Sequence, residues 1–581
     1  MKSIFQKLKR FRLIGVFLYY CLATALMTYP LAFQLKQSVL GGYGDNIYFV
    51  WLIRWYQQVL FEGKGHLFFN PWMNYPEGWN LSTTDTTLAS ALPGVPFSAV
   101  LGPVAGYNIA MLLTFVLSGF FMYLWIRSLT KSDSAGLLAG TMYAFVPYRM
   151  AHFLAGHLNL SGTQWFPLYF MGLYQILTTE KKPDWKAILL TAFSLAAIGF
   201  TSMYYLYMTI LISVVFVGGY LLLSKFKPLT HKAFWFNLLI AALISIPLMY
   251  ASVKPFMDLS QSGGIASRPI EYASVYSASP TDYILPSSDH FLLGAWVSQF
   301  FDRSLWIEGS FYISLTGFIL SLVAIVTNKK SPHRKLIWTA GMVTLVAFIL
   351  SLGIYLHWNN QNVVWQIPEF LQSFFKRSET YIYLPSYWLF FRLPFFDKMR
   401  ALMRFGIFVL IFIALLAGIG FDQIHRKLSP VKQKILTGGC VLLILFEFYP
   451  GSYAAQLTQP EPRQVDLWLA DQPDEGAVVQ MPFSESVDQA QIYYTLYYHK
   501  PFVGGFFNAN QPAQYQYINP ILNQFPNSES VALLHELNVK YIVIDTKAYA
   551  DFEALQTSMG NLGLVLLTIQ ENQAVYTLSA P

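Results

Sequence analysis

Apolar runs long enough to cross a membrane recur along most of the chain and then stop. They lie near 11–34, 107–127, 135–152, 160–178, 186–202, 204–224, 233–253, 308–327, 336–357, 403–422 and 433–449. A helix that crosses a bilayer needs about 20 such residues. One more stretch, 88–104, is apolar but carries Pro93, Pro96 and Pro103. Its pattern leaves spanning open; if it did span, every basic loop after the first would face outward, so it is expected to lie in the interface or re-enter against protein. Beyond about 450 the pattern changes. GAVVQMPF, KYIVIDT, LGLVLLTI and QAVYTLSA read as strands, and DLWLADQ and SESVALLHELN as helices. The predicted architecture is a polytopic α-helical membrane protein with eleven spans over 1–449, followed by a C-terminal α/β domain over 450–581.

Charge orients these spans. With 88–104 out of the count, residues 1–12, 126–134, 179–186, 225–232, 328–335 and 425–434 share one side and hold 21 of the 38 Lys and Arg. Basic loops stay cytoplasmic. The N-terminus is then inside, and 35–106, 254–307, 358–402 and 450–581 are extracytoplasmic. The net charge of +7 is mostly this topology signal, which argues against a nucleic-acid partner. A composition of 55% hydrophobic and 12% charged residues fits a membrane protein. Ala23-Thr24-Ala25 mimics a signal cleavage site, but the apolar run continues to about Phe33, so an uncleaved first span is expected. Cys21 and Cys440 sit inside apolar runs without metal-ligand spacing. The cytoplasmic loops are short, which places any chemistry on the outer side.

Candidate chemistry gathers at outer ends of spans. GGYGDNIYFVW places one acid, Asp45, after a glycine turn and before an aromatic segment that reads as an interfacial helix. Asp45 can serve as a base, a hard-metal ligand or simply a helix N-cap. A second group lies in FVPYRMAHFLAGHLNLSGTQW: Tyr148, Arg149, His152, His157, Asn159, Gln164 and Trp165. The two histidines are five apart, which is poor spacing for a helical zinc pair, so a polar pocket is the better reading. Arg268, Arg400 and Arg404 offer guanidinium groups suited to phosphate, or to interfacial anchoring. Asp85, Glu77 and Glu271 are further acids in outer loops.

These features resemble the GT-C superfamily of membrane glycosyltransferases, whose members carry an Asp motif just outside the first span. Gly44-Asp45 stands at that position, followed by the loop FFNPWMNYPEGWNLSTTDTTL. The segments AGTMYAFVPYRMAHFLAGHLNL and RALMRFGIFVLIFIALLAGIG and the tail sequences YYHKPFVGGFF and VKYIVIDT fit bacterial multi-pass members. The resemblance implies a sugar donor on polyprenyl phosphate and an extracytoplasmic acceptor: a cell-wall polymer, a glycolipid or a protein. It implies location in the cytoplasmic membrane, with Asp45 as catalytic base, and Arg149, His152, His157, Asn159, Arg268, Arg400 and Arg404 near the phosphate. Many members carry a second acid beside the first. Here Asn46 stands there, leaving Asp85 as a candidate second acid and a divalent cation such as Mg or Mn, on Asp45 if anywhere, as an open expectation. The alternatives are a lipid or polysaccharide transporter or flippase, and a non-catalytic scaffold of the same architecture. A transporter calls for mid-span charges and repeats, and few of the former and none of the latter are visible.

Overall fold

The computed structural model of the protein describes residues 2–261, 265, 267–473, 476–507 and 511–579. The chain divides into two compact units. One comprises Met1–Phe33 and Met111–Ala455, the other Gln34–Ala110 and Gln456–Pro581.

Among the described residues, five helices are both long and apolar enough to cross a membrane: Pro103–Thr130, Met203–Leu223, Lys232–Gln261, Arg334–Ser351 and Leu402–His425. The last is buried from Leu402 to Asp422 and packs against the Leu315–Val326, Arg334–Ser351 and Asp133–Ala144 helices. Lys232–Gln261 turns Leu239, Leu243 and Ile246 outward, as a lipid-facing surface requires. The protein is a multi-pass membrane protein.

Several of the remaining apolar runs form shorter helices, for stereochemical reasons. The run at 135–152 is two helices, Asp133–Ala144 and Pro147–Leu154. The ring of Pro147 crowds the backbone of Val146 out of the helical region, to ψ 140, and then starts the next helix from its first position. The run at 308–327 opens at the end of a short helix, Trp306–Gly309, and its longer helix starts only at Leu315, where the Ser314 hydroxyl accepts from Gly317 N. The stretch 88–104 folds as Leu88–Ala91, Leu92–Gly94 and Val95–Leu101, ending at Gly102 with φ 96.

The first helix, Lys2–Met27, packs through Tyr20 against glycines. Gly119, Gly136 and Gly140 let helix backbones approach closely around Tyr20 and Tyr123. A Cβ on Gly140 would lie 1.9 Å from the Tyr20 hydroxyl and 2.4 Å from Gly119 O.

In the second unit, four strands form one sheet: β1 (Ala477–Met481), β2 (Val539–Asp545), β3 (Leu564–Gln570) and β4 (Gln573–Leu578). Their spatial order is β3-β4-β2-β1, with β1 parallel to β2 and the other pairs antiparallel. The boundary expected at 449/450 is not where contacts divide, because residues 34–110 belong to the same unit as the tail. Val39–Leu40 pairs with Leu457–Thr458, and the Asp45–Phe61 helix packs on the Glu485–Tyr498 helix. The aromatic segment after Asp45 is helical as its spacing predicts, but Asn46 to Ile53, Trp55 and Tyr56 are all buried. It is therefore a core helix of this protein and not a surface amphipath.

Replacing Gly140 with Val is expected to destabilise the protein by about 2 kcal/mol, the scale of core overpacking, because its closest backbone neighbour, Gly119 O, cannot swing away. Thermal unfolding in detergent measures this. An unchanged melting temperature would show that the helices slide apart at no cost.

Candidate functional site

Asp45 occupies the first turn of its helix. The N-cap is Gly44, so Asp45 is not the capping residue that its position suggested. The turn before it is held by Asn46. That side chain accepts from Gly44 N at 3.1 Å and Ile47 N at 2.8 Å, and donates to Leu40 O at 2.8 Å and Gly42 O at 2.9 Å. An amide can do both, whereas a carboxylate has nothing to donate to the two carbonyls. Asn46 is thus a clasp on the backbone of the turn that precedes Asp45. Gly41 needs its missing side chain, with φ 83 and a 2.8 Å bond to Gln456 O. The Asp45 carboxylate is half-buried and accepts from Gln489 Nε2 at 3.4 Å. Asp85 is also half-buried. Burial, then Tyr56, then Asp85 and Asp45 raise the Tyr48 phenol well above its ordinary value, so both carboxylates act electrostatically on one buried ring.

The second group belongs to the other unit. His152 Nδ1 and His157 Nδ1 are 2.7 Å apart, so a single proton lies between the two imidazoles. His152 is fully buried, with Nε2 3.7 Å from Glu308 Oε2 and its ring edge-on to Tyr148 at 4.3 Å. Glu308 in turn takes both prongs of Arg404, Nε at 2.9 Å and Nη2 at 2.5 Å. Burial alone would raise the Glu308 carboxyl, but the Arg404 guanidinium and the two imidazoles outweigh it and hold the carboxyl at about 2. Its charge is therefore fixed at any physiological pH. Sequence reasoning missed Glu308. The available signal was a lone acid at the head of an apolar run, in WIEGSFYISL.

The predicted arginines part company here. Arg149 is fully buried and faces oxygens of its own fold: Ala144 O at 2.5 Å, Ser161 O at 3.1 Å and Thr114 Oγ1 at 3.0 Å. Its guanidinium also lies 4.2 Å from the Phe115 ring centre. Ala144 and Ser161 are the last residues of their helices, so Arg149 satisfies carbonyls that a helix end leaves open. Arg268 and Arg400 lie over neighbouring rings, Tyr272 at 5.3 Å and Tyr276 at 4.6 Å, and those rings are 6.0 Å apart. Arg400 Nη2 also donates to Tyr276 Oη at 2.6 Å. Among the described residues neither Arg268 nor Arg400 has a carboxylate in ion-pair range. Asn159 is half-buried on the Leu158–Ser161 turn, two residues beyond His157. Also among the described residues, no group of three or more His, Cys, Asp or Glu side chains is arranged to hold a metal ion.

This fold has known counterparts. The archaeal oligosaccharyltransferase AglB from Archaeoglobus fulgidus, solved with an inhibitory peptide and a dolichol-phosphate, aligns with a TM-score of 0.51 and 13% identity, over 98% of this chain and 74% of that one. The arabinofuranosyltransferase AftD from Mycobacteria aligns with a TM-score of 0.55 and 12% identity. That match covers 98% of this chain and 40% of AftD, so the chain spans about two-fifths of AftD's length. Both are GT-C glycosyltransferases, and the protein has the GT-C fold. Residues 11–424 match the family described as "Domain of unknown function (DUF6311)", and the chain belongs to that family. No curated protein matches it.

Two outcomes test the electrostatics. Glu308→Gln leaves Arg404 buried without its charge partner and is expected to destabilise the protein by about 3 kcal/mol. Glu308→Gln combined with Arg404→Met should recover most of that loss in thermal unfolding. The second concerns Asp289, whose Oδ2 is sealed from solvent with no hydrogen-bond partner among the described residues. Burial, opposed by Ser287, pushes its carboxyl up to about 6. A raised acid holds its proton more tightly in the folded state, so stability falls as pH rises through that value. Between pH 5 and 7 the loss is expected to be about 1 kcal/mol, and Asp289→Asn should flatten that slope. An equal slope in the variant would assign it to other groups.

Proposed function

We propose that this protein is a membrane glycosyltransferase that moves a sugar from a polyprenyl-phosphate donor to an extracytoplasmic acceptor. The observation that carries this reading is the placement of Asp45: within a GT-C fold, the acid that follows the glycine turn stands half-buried in the first turn of its helix, beside a turn clasped by Asn46. That AglB was solved with a dolichol-phosphate supports a lipid-phosphate donor.

In this mechanism the acceptor hydroxyl oxygen attacks the anomeric carbon as the bond from that carbon to the phosphate oxygen breaks. The polyprenyl phosphate leaves with the bonding pair, and Asp45 takes the hydroxyl proton. Attack opposite the leaving group inverts the anomeric centre, by the same logic as a general base that activates water in inverting hydrolysis. Within their own unit, Arg149 and Arg404 are already matched by protein oxygens, whereas Arg400 and Arg268 have no carboxylate in ion-pair range among the described residues and remain the guanidinium groups suited to a phosphate. Their tyrosine partners hold the guanidinium groups in place at low entropic cost. Gln489 orients Asp45 and brings the tail into the reaction. A divalent ion held in this region would draw on Asp45 and Asp85 among the described residues, and no step is assigned to it. The C-terminal segment is extracytoplasmic, because the basic loops stay inside.

The test offers a panel of polyprenyl-phosphate sugars, with candidate acceptors, to the protein in nanodiscs and follows release of polyprenyl phosphate. Asp45→Asn is expected to slow release at least 100-fold, the lower range for loss of a general base. Release at the wild-type rate from a folded Asn variant would overturn the role of Asp45.

A further inference from the structure

A cavity of about 530 Å³ opens at the basic ends of the membrane helices, away from the residues discussed above. Lys131, Lys186 and His333 line it, together with Trp125, Tyr174 and Gln175. The volume lies in the range of small-ligand sites. No lining residue is acidic. The nearby Asp422 is engaged by Arg426 at 2.6 Å, so it does not cancel the lysines.

Two buried polar atoms on the walls have no protein partner among the described residues. Trp125 is fully buried, yet its indole N–H finds no acceptor, and Gln175 Oε1 finds no donor. A buried N–H left unpaired is uncommon in folded proteins and calls for an occupant. Lys131 donates one proton to Ser128 O at 2.5 Å and keeps others for a ligand. His333 is fixed against Leu129 O at 3.1 Å.

We propose that this cavity binds a phosphate-bearing anion, which in a membrane is the headgroup of an anionic phospholipid. Lys131 and Lys186 supply the charge, and the Trp125 indole supplies a directional donor. Leu129 and Met171 line the same walls and suit the glycerol and first methylenes of a lipid. A basic pocket between helices at the membrane surface is the setting in which such headgroups are recognised. This site is independent of the sugar-transfer reading.

The experiment uses the full-length protein in detergent, with native mass spectrometry and thermal unfolding. The probes are phosphatidylglycerol, phosphatidylcholine, glycerol 3-phosphate and inorganic phosphate. Phosphatidylglycerol is expected to bind at least tenfold more tightly than phosphatidylcholine. Lys131→Ala with Lys186→Ala should remove that preference while leaving lipid-free unfolding unchanged, because both side chains are exposed. Trp125→Phe keeps the ring and removes the N–H, and should weaken phosphatidylglycerol several-fold. Binding of glycerol 3-phosphate or inorganic phosphate with the same sensitivity to these variants would support the site and assign it to a soluble phosphate. Equal retention of both lipids, or a preference that survives all three substitutions, would overturn the proposal.

Discussion

A guanidinium sealed among apolar helices must be met by oxygen, and much of this structure follows from how that demand is answered. Water cannot do it there. Arg149 is answered by carbonyls at two helix ends and by a hydroxyl. Arg404 is answered by both oxygens of Glu308, and Arg303 by Asp282 at 2.5 Å. Each answer fixes a loop. Arg149 holds the end of the turn that follows His157, whose own N–H donates to His152 O at 2.9 Å. The Asp282–Arg303 pair packs against Gly309, where an added Cβ would lie 3.3 Å from Asp282 Oδ2, so it sets the backbone that presents Glu308. The histidine pair, Glu308 and Arg404 are thereby held as one unit.

This accounts for what the sequence could and could not disclose. The membrane class, the break at 88–104 and the strands of the tail were legible, because hydrophobic period and proline act locally. The split of 135–152 hung on one residue, Pro147, inside a run whose hydrophobicity looked continuous. The roles of the arginines were not legible. Arg149, Arg400 and Arg404 all sit near ends of apolar runs, and only the tertiary partners separate a helix-end strut from a carboxylate-matched charge and from an unmatched one. Glu308 stayed hidden because its meaning lies in Arg404, 96 positions away. The grouping of 34–110 with the tail likewise rests on pairings such as Val39 with Thr458, which no local pattern announces.

The resemblance to GT-C enzymes led to the expectation of a second acid beside the first, and Asn46 explains its absence in physical terms. All of its hydrogen-bonding capacity is spent on four backbone groups within the turn. An acid at that position would face Leu40 O and Gly42 O with lone pairs, an unfavourable burial. The turn has therefore been built around an amide, and Asp45 keeps a geometry that does not require a neighbouring carboxylate.

The glycines of that turn sort themselves by the same reasoning. Gly41 is demanded by its backbone angle. Gly44 is extended, at φ −171, where any residue is comfortable, and a Cβ at Gly42 or Gly44 would meet nothing within 4 Å. The fold has no use for their smallness. A side chain at either place would instead fill open space beside Asp45. Glycines that folding does not require, on either side of Tyr43 and just ahead of the acid, are what a carboxylate needs if something the size of a sugar ring is to approach it. Under the proposed role of Asp45, the conformational entropy those two glycines cost on folding is offset by access to the carboxylate and not by stability.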